Sequence, residues 1–123
     1  MTKEELTTAR FKEFLQFCGK DNTVAKEFNL LYMQKHGETV CPCPNAFETL
    51  KALKGKVSQY IATNGLVIAQ QGKIHFSGLD KLVDGAFISE TMGVDKPNKE
   101  FYDCILNQIG VLDKSSVMMV GDS

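Results

Sequence analysis

The chain has 123 residues, 24% of them charged and 43% apolar, with a formal net charge of -1 from 14 basic and 15 acidic side chains. That length accommodates one compact domain, or one domain with a small appendage, and the balanced charge excludes the broad positive field that gathers nucleic acid or anionic membrane. No apolar run approaches the ~20 residues that cross a bilayer, and MTKEELTTAR lacks a secretory leader pattern, so the sequence reads as soluble and cytoplasmic, with no membrane or nucleic-acid partner.

Thr2-Lys3-Glu4-Glu5 has the form of a capping box, in which a hydroxyl and a carboxylate satisfy the free amides that start a helix. Leu6, Phe11, Phe14, Leu15, Phe17 and Cys18 then recur at three- and four-residue steps until Gly19. Asp21-Asn22-Thr23 restarts a helix that is expected to turn Val24, Phe28, Leu31 and Tyr32 inward and to end near His36-Gly37. Residues 1–38 therefore read as an antiparallel helical pair, a separate unit from 39–123, because Pro42 and Pro44 mark a break in composition.

Beyond the break, helices alternate with short β-branched runs. A helix is expected over 45–54, with Ala46, Phe47, Leu50 and Leu53 on one face, and a strand over Val57–Ala62 that runs into Thr63-Asn64-Gly65. A helix at 66–76, a turn at Leu79–Leu82 and a strand at Gly85–Ser89 follow. Pro97 suits a first helical position, Phe101, Ile105 and Ile109 share a face, and Gly110 stops that helix. A third strand is expected over Ser116–Val120, ending in Gly121-Asp122-Ser123. Strands interleaved with helices predict an α/β, Rossmann-like parallel sheet with flanking helices, whose binding groups gather at the strands' carboxyl ends. Thr63, Ser89 and Asp122 all fall at such ends.

Three weak signals lie there. Thr63-Asn64-Gly65 combines a hydroxyl, an amide and a flexible turn whose N–H groups can face an anion, although a plain polar turn has the same chemistry. Lys96 stands at a strand-to-helix connection, where a cation can neutralise a bound phosphate, although a solvated loop lysine is common. Asp122 offers a hard oxygen ligand suited to magnesium, although a lone aspartate usually faces solvent. Their shared placement at successive strand ends is what raises them above coincidence.

Thr63-Asn64-Gly65, Lys96-Pro97 and Gly121-Asp122-Ser123, together with ATNGLVIAQQGKIHFSGL, FISETMGVDKPNKEFYD and VMMVGDS, resemble the second, third and fourth motifs of haloacid dehalogenase (HAD) hydrolases. The text is most similar to the pyrimidine nucleotidase branch, which dephosphorylates nucleoside monophosphates and carries a helical cap. The resemblance implies a partial HAD core at 39–123 and part of the cap at 1–38. It further implies a phosphatase that works through an aspartyl-phosphate. Thr63, Asn64 and Gly65 would bind the phosphate, Lys96 would act as the catalytic cation on it, and Asp122 would hold magnesium. The expected partner is a small phosphorylated substrate, a nucleotide among the candidates.

The family's Asp-x-Asp-x-Thr motif does not occur in these residues, and the second acid that normally follows the fourth motif is absent from them. The chain alone is therefore expected not to hydrolyse esters. Sheet edges left open by a missing central strand predict homo-oligomer formation. The competing reading is a non-catalytic fragment or anion-binding module that self-associates.

The remaining chemistry-bearing residues read as structural. His36 and His75 lie near helix ends, and Lys51, Lys54 and Lys56 form a solvated helix end. Cys18, Cys104, Met92, Met118 and Met119 are expected to act as core hydrophobes. The four cysteines lack the density of a disulfide scaffold and are expected reduced.

Overall fold

The computed structural model describes residues 1–121, so the expectation for Asp122 lies outside the described residues. Six α-helices and two strands occur among the described residues, in the order α1 (Lys3–Phe17), α2 (Ala25–Glu38), α3 (Ala46–Leu53), β1 (Tyr60–Thr63), α4 (Val67–Ser77), β2 (Gly85–Ile88), α5 (Ser89–Met92) and α6 (Lys99–Ile109). Short 3-10 turns occupy Leu79–Lys81 and Lys114–Ser116. The strands pair in parallel through Tyr60–Gly85, Ile61–Ala86, Ala62–Phe87 and Thr63–Ile88, as the β1–α4–β2 alternation requires.

The capping box of α1 forms as its residues predict. Glu5 N–H donates to Thr2 Oγ1 at 3.1 Å and Thr2 N–H donates to the Glu5 carboxylate at 2.6 Å, and Gly19 closes the helix at φ 65°. Thr2→Ala is expected to lower stability by about 1 kcal/mol, read as a shift of the urea midpoint at unchanged slope. No shift would mean that water replaces the cap.

The buried face of the helical pair differs from the expected stripe. The buried row of α2 is Ala25, Asn29, Met33 and Gly37, whereas Leu6, Phe14, Val24 and Leu31 are exposed and Phe17 is 90% exposed. Hydrophobic periodicity locates bulk, but here close approach of two backbones selects small residues. A Cβ on Gly72 of α4 would lie 2.9 Å from Gly37 Cα, so α2 crosses α4 glycine on glycine. The large aromatics lie instead between α1 and α2: Phe11 of α1 meets Phe28 and Tyr32 of α2 with ring centroids 5.0 and 5.1 Å apart. Asn29 Nδ2 donates to Thr8 Oγ1 at 3.3 Å across the same interface.

The third expected strand does not form. Lys114–Ser116 is a 3-10 turn capped by Asp113, whose Oδ1 accepts from Ser115 N–H at 2.9 Å. Val117 is extended, but Val117–Val120 has no ladder partner among the described residues, and an extended segment becomes a strand only by pairing. Met118 and Val120, each 85% exposed, are consequently at the surface together with Met119. The methionines expected in a core at 118 and 119 are therefore outside it, and Cys18 is also exposed.

Smaller differences follow from capping. The 57–62 strand is displaced to Tyr60–Thr63, because Gln59 and Asp84 tie the strand entry: Gln59 N–H donates to Asp84 Oδ2 and Asp84 N–H to Gln59 O, both at 2.7 Å. Pro97 precedes the helix rather than opening it, since Asn98 caps α6 through its Oδ1 and Glu100 N–H. The apolar face of α6 forms as expected, with Phe101 fully buried and Ile105 beside it.

Candidate functional site

The parallel register aligns Thr63 with Ile88, so the residues that follow the two strands, Asn64-Gly65 and Ser89, emerge side by side. Gly65 has φ 146°, and a Cβ there would meet Gln70 Nε2 at 2.7 Å, so the turn out of β1 requires glycine. Gly65 N–H donates to Ser89 Oγ at 3.2 Å, and Ser89 is almost completely buried. The next element is anchored in the same way: Val67 N–H, at the start of α4, donates to the Glu90 carboxylate at 2.6 Å.

Asn64 and Lys96 are 32 residues apart and meet through two bonds. Lys96 N–H donates to Asn64 Oδ1 at 2.8 Å, and Asn64 Nδ2 donates to Lys96 O at 3.0 Å. The side-chain amide thus pairs with both main-chain groups of one residue and fixes Lys96 against the end of β1. Gln70 Nε2 in turn donates to Asn64 O at 3.3 Å. Lys96 is half-buried, and its ammonium makes no salt bridge or hydrogen bond among the described residues. A cation held by its backbone, with its charge uncommitted to those residues, can serve an anion.

The structure brings Thr63, Asn64, Gly65 and Lys96 together and distributes their roles. The Asn64 side chain is committed to Lys96 and the Gly65 N–H to Ser89, whereas the Lys96 ammonium has no partner among the described residues. Thr63 Oγ1 makes only a long local bond, to Asn64 O at 3.3 Å. Ser89, Glu90 and Gln70 support these groups. Ser89 was visible in the sequence as a strand-end residue; Glu90 and Gln70 carried no sequence signal, because their contacts are set by the packing of α4 and α5.

A further residue arrives from the far end of the chain. Lys3 Nζ donates to Ser89 Oγ at 2.6 Å and forms an ion pair with Asp95, next to Lys96. The Lys3 ammonium first, and the Ser89 hydroxyl second, hold the Asp95 carboxyl below its ordinary range. A depressed carboxyl pKa contributes stability above the unfolded value and loses it as pH falls through the folded one. This contact is therefore complete at neutral pH and lost in acid.

Among the described residues no three His, Cys, Asp or Glu side chains lie together as a metal could require, and Asp122 is outside them. The described residues bring Thr63, Asn64 and Lys96 together and do not compose a magnesium site by themselves. His36 stacks on Tyr32 with ring centroids 5.9 Å apart, and His75 lies 3.5 Å from Asp80; both are structural contacts away from the Asn64–Lys96 pair. No described helix is long and apolar enough to cross a membrane.

Comparison with known proteins places the chain in a family. The model of the haloacid dehalogenase-like hydrolase family matches residues 3–123. The chain is 34% identical to pyrimidine 5'-nucleotidase YjjG of Escherichia coli (strain K12) over its whole length, covering 53% of that protein. It is 30% identical to pyrimidine 5'-nucleotidase PynA of Streptococcus pneumoniae, again over all of this chain and 52% of the relative. The crystal structure of the HAD-hydrolase YfnB of Bacillus subtilis bound to magnesium superposes with a TM-score of 0.76 at 26% identity, over 92% of this chain and 49% of that one. The chain thus spans about half the length of the relatives it matches. With the α/β fold of a solved hydrolase and a family match over 3–123 in agreement, the chain belongs to the haloacid dehalogenase-like hydrolase family.

Proposed function

We propose that this chain supplies the phosphate-handling part of a magnesium-dependent phosphatase whose substrate is a small phosphate monoester, with nucleoside monophosphates as the class. The observation that carries the reading is the double hydrogen bond by which Asn64 holds Lys96 beside Thr63. In this reading residues 1–38 are part of a cap and 39–123 part of the core. Asp122 is a magnesium ligand, and the phosphoryl group passes through an aspartyl-phosphate on a carboxylate outside these residues.

The work of the described groups is positional and electrostatic. The Thr63 hydroxyl and Asn64 N–H orient the transferring phosphoryl, and the Lys96 ammonium offsets the charge on its oxygens as it moves. Phosphoryl transfer asks for little else from the protein, since its transition state is stabilised mainly by placement and charge. The nucleotidases to which the chain is similar favour a nucleotide substrate.

The test is release of inorganic phosphate from nucleoside monophosphates, with magnesium, by the complete protein and by the 123-residue chain alone. Turnover by the former and none by the latter is the expected result. Turnover by neither would remove the phosphatase reading. A second reading, an anion-binding module that self-associates, draws support from the exposed Val117–Val120 run. A strictly monomeric mass of the chain in dilute solution would count against it.

A further inference from the structure

We propose that Lys3 is a positioning residue for the anion site, through which the helical pair sets the geometry of the Gly65 turn and of the Asp95–Lys96 segment. The proposal rests on the phosphatase reading for its catalytic consequence, but its structural content is independent of that reading.

Lys3 lies in the first turn of α1, 86 residues from Ser89 and 92 from Asp95 in the sequence. Its ammonium has three protons. One goes to Ser89 Oγ and another to the Asp95 carboxylate, so a single point charge ties the two segments that flank the site. Ser89 is the junction. Its hydroxyl oxygen has two lone pairs, and they are taken by the Lys3 ammonium and by Gly65 N–H at 2.6 and 3.2 Å. Ser89 is 1% exposed, so water cannot readily take over for a lost partner.

The chain of contacts is continuous from cap to cation. Lys3 fixes Ser89, Ser89 fixes Gly65 N–H, and the neighbouring Asn64 side chain fixes the Lys96 backbone. On the other arm Lys3 fixes Asp95, the residue covalently before Lys96. Lys96 is thereby located from both sides by the position of α1. Among the described residues no other basic residue of α1 or α2 reaches Ser89 or Asp95: Lys26 reaches Glu4 at 3.9 Å, Lys12 has no ion pair, and His36 Nε2 lies 2.8 Å from Lys73 Nζ of α4. If α1 moves relative to the sheet, the Lys3 contacts carry that movement to Ser89 and Asp95, alongside the separate path through the α2–α4 crossing.

The test compares the complete protein with its Lys3→Met, Lys3→Arg and Lys12→Met variants, and reads the amide resonance of Gly65 alongside kcat and KM. Lys3→Met is expected to shift the Gly65 amide and to lower kcat about tenfold with little change in KM, because Lys96 is displaced by a fraction of an ångström rather than removed. Lys3→Arg, which keeps a cation able to bond both partners, is expected to restore both readings, and Lys12→Met to leave both unchanged. Lys3→Gln removes the charge while keeping a side chain of similar polarity, and its shift of the Gly65 amide carries the test if Lys3→Met does not fold. A Gly65 resonance unmoved by Lys3→Met, or moved equally by Lys12→Met, would overturn the proposal. If the unsubstituted protein turns over no phosphate ester, the phosphatase reading fails, and the Gly65 resonance still decides the role of Lys3.

Discussion

Lys96→Ala in the complete protein is expected to lower kcat/KM for a phosphate ester by about 100- to 1000-fold, the range found when one preorganised donor to a charged transition state is removed. The substitution is unusually clean here, because the Asn64 clamp holds the main-chain N–H and C=O of Lys96 and makes no use of its side chain. The loop therefore stays in place when the ammonium is deleted, and the urea midpoint is expected to move by less than about 0.5 kcal/mol equivalent. Loss of rate without loss of stability separates a charge that acts on substrate from one that holds the fold. Lys96→Arg should recover only part of the activity, since a planar fork does not occupy the place of a compact ammonium. An alanine variant within about fivefold of the parent rate would remove Lys96 from the reaction.

The second large effect is expected in the core. At an ordinary helical position, Gly→Ala stabilises by roughly 0.5–1 kcal/mol, because glycine is conformationally costly there. Gly72 lies within α4, so propensity alone predicts a gain. The crossing predicts the opposite, because the new Cβ would sit 2.9 Å from Gly37 Cα and 3.1 Å from Gly37 C, atoms of a backbone that cannot swing aside. Overpacking of this kind costs about 1–3 kcal/mol, which exceeds the propensity gain. Gly72→Ala should therefore destabilise by about 1–2 kcal/mol, and Gly72→Leu by about 3 kcal/mol or more. Both are read from urea unfolding. A raised midpoint for Gly72→Ala would show that α2 and α4 do not cross at these glycines in solution.

The crossing also connects fold to site. α4 begins two residues after Gly65, and its start is anchored by Glu90. A displaced α4 would pull on the same turn that Ser89 and Asn64 hold. Gly72 variants are accordingly expected to lose some activity along with stability, unlike Lys96→Ala.

Local rules located most elements, and they did so where the signal is local. The capping box at Thr2 and Glu5, the stops at Gly19 and Gly110, and the buried Phe101–Ile105 face of α6 are all settled within a few residues of chain. The strand-end triplet Thr63-Asn64-Gly65 and the loop Lys96 could likewise be picked out, since turn chemistry and the run of strands are written in the sequence.

What the sequence left open depends on partners distant along the chain. Periodicity marked Phe28 and Leu31 as the inner face of α2, but the inner face is Ala25, Asn29, Met33 and Gly37, because a second glycine 35 residues on at Gly72 allows the backbones to touch. The apolar run Val117–Val120 has the composition of a strand but no ladder partner among the described residues, and pairing is a property of two segments. The commitment of Asn64 to Lys96, and of Lys3 to Ser89 and Asp95, exists only once the sheet register and the α2–α4 crossing have brought three separate stretches to one edge. By itself the sequence determined the helices, the strand ends and the residue types able to meet a phosphate. Only the tertiary structure decided which of them touch, because hydrogen bonds over tens of residues are fixed by packing geometry and leave no periodic trace in the chain.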